Sequence, residues 1–321
     1  MQTHAWMQAR VDILQRNLEL RPISPDAASS APAIAPLVLG GGWLRELPAM
    51  FEPSDLCWEN EQSLNALAVA LSKQPYPVQL ERVPADSPSI SALRRAYRGR
   101  GIVLLDAAMP TPFIELGDGT SPNVAPYFSA SWRAAFRRAE RKANQFGPVG
   151  YEIHAPGTPD ELEPLLQQAM DIEGTSWKNE AGTALTVDHR QGEFFYRFAQ
   201  AAIAQNRLRI AFLRIGQQAV AMQIAYEWKQ RFWLFKISYD QSFAACSPGN
   251  LLMRHTLAYA VQKHLLSYEL MGVMDGWTRH WTTQTRRYVR IRAIPFHYKT
   301  SQLLAKGAAR KVLGKLRRIL G

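Results

Sequence analysis

Lys236-Ile237-Ser238-Tyr239-Asp240 closes an aromatic, β-rich run, and Ser247-Pro248-Gly249-Asn250 opens an apolar-periodic segment shortly after it. A strand that turns through a short connection into a helix can hold phosphate, because the first turn of a helix offers unpaired N–H groups and a partial positive charge. Gly249 would let a ligand come close to the backbone, Ser247 is placed as an N-cap, and Pro248 suits the first helical position. The same residues also start helices that bind nothing, so on the motif alone the plain strand–loop–helix junction is the stronger reading and a phosphate site the lesser. Asp240 has two such readings as well: a carboxylate for proton transfer, or an Asx turn shaping its own loop. His255 is a lone helical histidine of structural type, whereas His280 sits among Trp277, Arg279 and Trp281, a setting that suits ligand contact. No Ser-His-Asp spacing suggests a covalent intermediate. The two cysteines, Cys57 and Cys246, lie far apart without a CxxC pair or a His-rich companion, so no disulfide framework and no metal site is expected.

The elements that would carry these groups follow from periodicity. Arg207–Ile215, Ala219–Trp228 and Arg231–Asp240 read as three strands of an antiparallel meander, joined at Gly216-Gln217 and Lys229-Gln230. Before them come a strand near 151–155, a helix capped by Thr158-Pro159-Asp160-Glu161, and a helix after Asp188 whose Phe194, Phe195, Phe198, Ala202 and Ile203 face inward. A helix at about 250–264 and strands at 268–273 and 288–296 complete this half. Ahead of it, a helix at 128–144 follows an alternation of strands (36–39, 77–83, 101–106) and helices (62–73, 91–98), which argues for an α/β domain. The Pro-, Ala- and Ser-rich residues 22–36 read as a linker after a short N-terminal helix. The expected division is therefore 1–36, helix and linker; 37–127, an N-terminal half; 128–300, a C-terminal half; and 301–321, a basic tail.

The chain has 321 residues and a formal charge of +11, but the charge is unevenly placed. Beyond Asp275 there are 12 basic residues and no acidic one, while residues 1–275 hold 26 basic against 27 acidic side chains. Residues 302–320 put Leu304, Ala308, Val312, Leu316 and Ile319 on one stripe among basic neighbours, a pattern that suits either an anionic membrane surface or docking on the protein. Arg10, Asp12, Arg16 and Glu19 break the first apolar stretch, unlike a signal peptide, and no apolar run is long enough to span a bilayer. A cytoplasmic protein, peripheral to the inner membrane at most, is the expectation.

The ordered series Glu173-x-x-Ser176-Trp177-Lys178, Phe194–Phe198, Lys236-x-x-Tyr239-Asp240, Ser247-Pro248-Gly249-x-Leu251-Leu252 and Glu269-Leu270-Met271-Gly272 resembles the GNAT-type acyltransferases called cellulose-biosynthesis CelD-like, which are related to the FemAB aminoacyltransferases. The resemblance covers residues 130–295 most clearly. It implies an α/β (α+β) fold of tandem GNAT-like halves, each a mixed, mainly antiparallel sheet flanked by helices. It further implies an N- or O-acyltransferase that takes an acyl group from acyl-CoA, without a metal, to a sugar or amine acceptor in exopolysaccharide, cellulose or envelope synthesis. On that basis Ile237 and Ser238 lend backbone groups to the pantetheine, and Ser247, Gly249 and Asn250 meet the phosphates. Asp240 is the first candidate base, with Tyr239 and Glu173 as further candidates for proton transfer. Trp177, Lys178, Trp277, Arg279 and His280 are placed at the acceptor. The family's late lysine is Thr278 here, and the acidic residue of the late strand is Glu269 rather than aspartate. Two alternatives stay open: a FemAB-like transferase whose donor is a charged tRNA, and a non-catalytic accessory protein of a polysaccharide synthase.

Overall fold

The structure is a computed structural model that describes residues 19–25, 32–46, 53–117, 128–176 and 189–296. In chain order its strands are β1 (Glu19–Ile23), β2 (Ala33–Gly40), β3 (Trp43–Arg45), β4 (Cys57–Trp58), β5 (Val78–Pro84), β6 (Gly101–Glu115), β7 (Val149–His154), β8 (Leu208–Ile215), β9 (Gln218–Trp228), β10 (Arg231–Tyr239), β11 (Ser267–Glu269) and β12 (Thr285–Pro295). The helices are α1 (Glu61–Ser72), α2 (Pro88–Tyr97), α3 (Ala130–Ala143), α4 (Pro159–Gly174), α5 (His189–Ile203), α6 (Pro248–Gln262) and α7 (Thr278–Trp281). The chain forms two compact units, one of residues 1–110 with 286–321 and one of residues 111–285, so β6 contributes its start to the first and its end to the second.

In the first unit β1, β2, β3, β5 and β12 lie side by side, antiparallel except for the β3–β5 pair. Helices α1 and α2 cover the sheet, burying Leu64, Leu67, Leu71 and Leu93 against Leu37, Leu44, Leu80 and Ile291. Asn60 and Ser63 cap α1 reciprocally, and Ser87 caps α2 ahead of Pro88, which starts that helix earlier than its periodicity suggests. Two expectations are corrected here. The Pro/Ala/Ser-rich stretch is not a linker throughout: Pro22 and Pro36 face each other in the β1–β2 pair, and Ala33 and Ala35 are buried. Proline is tolerated where it owes the ladder no N–H, and alanine packs where a larger side chain would not fit. Strand β12, expected to finish the C-terminal half, pairs with β5 instead. The short N-terminal helix and the basic segment 302–320 fall outside the described residues, except that Glu19–Ile23 is strand.

The second unit is built on the sheet order β6–β11–β10–β9–β8–β7, with only β10–β11 parallel. The meander is as expected. Gly216 at φ 62° and the pair Lys229 and Gln230 at φ 49° and 54° supply the left-handed residues that tight hairpins require. Residues Val220–Tyr226 of β9 are buried without a break, because helices lie on both faces of this strand. One face carries α3 and α6: Phe136, Leu251, Leu252, Leu257 and Val261 pack on Leu213, Ala221, Phe232 and Leu234. The other face carries α4 and α5. Thr158 caps α4 by accepting from the Glu161 N–H, and the Glu161 carboxylate accepts from the Gly157 N–H at 2.7 Å.

Candidate functional site

Strand β10 is the element on which the site turns. It pairs with β11 only at Arg231–Ser267, Phe232–Tyr268 and Trp233–Glu269. A bulge at Phe235 follows, and residues 234–239 run on with β9 alone. The chain after Glu269 turns to the opposite neighbour, where the Leu270 N–H donates to the Pro112 carbonyl at 3.1 Å. Two parallel strands thus separate beyond one point, and backbone groups of β10 face the opening.

The bulge puts Lys236 and Ser238 on the α4/α5 face, opposite Ile224 and Met222 of β9. Lys236 Nζ donates to Glu173 Oε1 at 3.1 Å and lies 5.4 Å from the Phe195 ring centre. Glu173 is wholly buried and Lys236 nearly so, which makes this an ion pair held in the interior rather than the exposed helix end that Glu173 could have been. Ser238 is 3% exposed, and its hydroxyl has no hydrogen-bond partner. Beside these residues a cavity of about 430 Å³ lies between α4, α5 and β9, lined mainly by Leu166, Ala169, Met170, Phe195, Met222 and Ile224.

At the corner, Asp240 takes the Asx-turn role: its carboxylate accepts from the Ser242 N–H at 2.9 Å, from the Ser242 hydroxyl at 2.7 Å and from Gln218 Nε2 at 3.2 Å. A 3₁₀ helix, Gln241–Cys246, fills the connection. Ser247 occupies the N-cap position of α6, but with φ 49° and no side-chain cap bond, which corrects its expected capping role. Pro248 has no N–H, and the Asn250 and Leu251 N–H groups both donate to the Ser247 carbonyl. Of the first four helical positions, only Gly249 then presents an N–H to a ligand. A Cβ on Gly249 would sit 3.3 Å from the Tyr239 ring, so its lack of a side chain also makes room for Tyr239. Tyr239 and Ile237 point to the α3/α6 face, away from Lys236 and Ser238.

The late-strand residues separate. Glu269 is buried with the Ser267 hydroxyl donating to it at 2.6 Å and Arg231 at 3.9 Å. Thr278 is 1% exposed and exchanges bonds with Asp275: the Asp275 N–H donates to Thr278 Oγ1 at 2.8 Å, and the Thr278 N–H donates to Asp275 Oδ1 at 3.0 Å. Thr278 is thus the first residue of α7, tied to Asp275 just ahead of the helix. Trp277 and Arg279 are exposed there, and His280 lies 6.3 Å from the Trp132 ring in an aromatic group with Phe128, Phe136 and Trp281. His255 stacks on Tyr151 at 4.6 Å, and burial, then Arg254, holds its pKa below the usual value, as suits a structural histidine. Trp177 and Lys178 lie outside the described residues. Lys236, part of the motif in the sequence, had no role assigned to it there. Its signal was available, since a lysine inside an aromatic strand needs a buried anion, but the anion sits far away in sequence.

No group of His, Cys, Asp and Glu among the described residues could hold a metal ion. No curated protein matches the sequence. Among solved structures, FemX is similar with a TM-score of 0.58 at 10% identity, over 94% of this chain and 93% of its own. The C-terminal domain (DUF2156) of a putative lysylphosphatidylglycerol synthetase from Agrobacterium fabrum is similar with a TM-score of 0.55 at 9% identity, over 95% of both chains. L-PGS from Bacillus licheniformis is similar with a TM-score of 0.53 at 11% identity, over 90% of this chain and 91% of its own. At such identities the likeness is one of fold. Residues 130–281 match the family model described as acetyltransferase (GNAT) domain. The chain thus has a GNAT-like fold, and within it residues 130–281 are similar to the GNAT acetyltransferase domain.

Proposed function

We propose that the protein is an acyltransferase that lays a thioester donor, acyl-CoA, against residues 234–239 and passes its acyl group to an amine or hydroxyl acceptor. The observation that carries this reading is the separation of β10 from β11 after Trp233 and Glu269, which leaves an extended edge inside the sheet for a ligand to line. Ile237 and Ser238 lend backbone groups to the pantetheine, and the corner at Ser247, Gly249 and Asn250 receives the phosphates, chiefly through the Gly249 N–H. The acceptor attacks the thioester carbonyl carbon, a C–N or C–O bond forms, and the C–S bond breaks. The acceptor's proton passes to a carboxylate, and the departing thiolate takes up a proton from Tyr239 or solvent. Glu173 is the carboxylate on the cavity side of the sheet and takes the acceptor's proton, while Asp240 shapes the loop. Trp177, Lys178, Trp277, Arg279 and His280 contact the acceptor. A sugar or amine of polysaccharide or envelope synthesis is the acceptor class, reached in the cytoplasm or at the inner membrane surface through the basic end.

The fold likeness to FemX and to lysylphosphatidylglycerol synthetase favours a second reading, in which the acyl group is an aminoacyl group delivered on tRNA. Hydrogen exchange decides between them. Protection of peptides spanning 234–250 on adding CoA supports the first reading. No protection by CoA or acyl-CoA, with protection by aminoacyl-tRNA that fades steeply with salt, supports the second.

A further inference from the structure

We infer that the cavity between α4, α5 and β9 receives an aliphatic acyl chain of roughly eight to twelve carbons, with Ser238 at its polar end. The inference rests on the donor reading and adds to it which acyl group is carried. Three observations converge. The cavity, open on one side, measures about 430 Å³, and its mainly apolar wall, with Met170, Phe195, Met222 and Ile224 in it, is completed by Gln167 and Glu193. An apolar cavity of roughly 150 Å³ accommodates one benzene, so this space suits a chain of about ten carbons and is wasted on an acetyl group. Secondly, the two β9 residues in that wall, Met222 and Ile224, stand directly opposite Ser238 and Lys236, in the stretch of β10 that has left β11. A thioester on that stretch therefore has its carbonyl within a residue or two of the cavity.

Thirdly, the Ser238 hydroxyl is buried and unpaired, a costly arrangement unless a ligand supplies an acceptor. An acyl carbonyl is such an acceptor. Lys236 and Glu173 neutralise each other on the same face of the sheet, and Glu193 of the cavity's lining is paired with Arg197 at 2.9 Å, so the polar groups around it carry no net charge. That combination favours a neutral ester end and an apolar tail, and disfavours a charged amino acid lodged in the same space.

Calorimetric titration with acetyl-CoA, decanoyl-CoA and free decanoate tests this, using wild type, Ala169→Phe, Met170→Trp and Ser238→Ala. Each buried methylene should strengthen binding by roughly a few-fold, so decanoyl-CoA is expected to bind at least tenfold tighter than acetyl-CoA. Filling the cavity with Ala169→Phe or Met170→Trp should shrink that ratio toward one, and Ser238→Ala should weaken both thioesters and decanoate, each of which sets an acyl oxygen at that hydroxyl. Equal affinity for acetyl-CoA and decanoyl-CoA in wild type, or a ratio that survives both filling variants, would overturn the inference and leave the donor reading intact. Binding of decanoate that both filling variants abolish, with no binding of any CoA thioester, would keep the cavity assignment and sink the donor reading. No binding of decanoate or of any thioester would overturn both.

Discussion

Replacing Lys236 by methionine removes the cation from a carboxylate that is 0% exposed, while nearly preserving side-chain length. Breaking a buried pair from one side costs about 3–5 kcal/mol, because the remaining charge has lost its Coulomb partner in a medium that solvates it poorly. Glu173 keeps its other contacts, and the neighbouring cavity can admit water, so the lower end, about 3 kcal/mol, is the expectation for Lys236→Met. Replacing both partners, Glu173→Leu with Lys236→Met, should recover most of that loss, since an apolar pair needs no desolvation to be repaid. The assay is urea unfolding followed by tryptophan fluorescence on wild type, both single variants and the double variant, with the coupling energy taken from the cycle. A Lys236→Met cost below about 1 kcal/mol, the ordinary worth of an exposed pair, would refute the argument that this pair is interior and works as one unit. So would a double variant whose loss equals the sum of the two singles.

Other expectations follow from particular residues. Glu46 is buried with its pKa pushed up to about 8 by desolvation, against the hydrogen bonds it accepts from the Glu81 N–H and Ser54. Its folded pKa exceeds its unfolded one, so its proton supports the fold fully below about pH 4.5 and that support is lost as pH rises to about 8. Denaturant midpoints measured across that window should fall in wild type and fall less in Glu46→Gln. Gly101→Ala should cost about 1–3 kcal/mol in a denaturation curve, since a Cβ there would lie 2.3 Å from the Ile294 carbonyl oxygen and 2.9 Å from Pro295 Cα, which are backbone atoms that cannot step aside. Thr278→Val keeps the shape and removes the hydroxyl that closes the box with Asp275; a loss of about 1–2 kcal/mol in thermal or urea unfolding is expected. Thr278→Lys should lose more, because the site is 1% exposed.

What could be read from the sequence alone was what local pattern determines. Alternation and short turns placed the β8–β9–β10 meander, and Thr158-Pro159-Asp160-Glu161 marked the start of α4 because capping depends on residues a few positions apart. The phenylalanines at 194, 195 and 198 declared the buried face of α5 for the same reason. The strand–helix corner was visible too, with the Asx turn of Asp240 as one of two readings, but that Ser247 would be left-handed rather than a side-chain cap is the outcome of a 3₁₀ turn that no periodicity announces. The tertiary structure alone decided which distant residues meet. Strand β12 lies two hundred positions from its partner β5, and a strand's own composition does not name its neighbour. Glu173 reads as the end of a helix and Lys236 as an oddity in a strand until packing joins them. The separation of β10 from β11, the unpaired Ser238 hydroxyl and the cavity beside it exist only in three dimensions, since each is a property of the space between elements and not of any one of them.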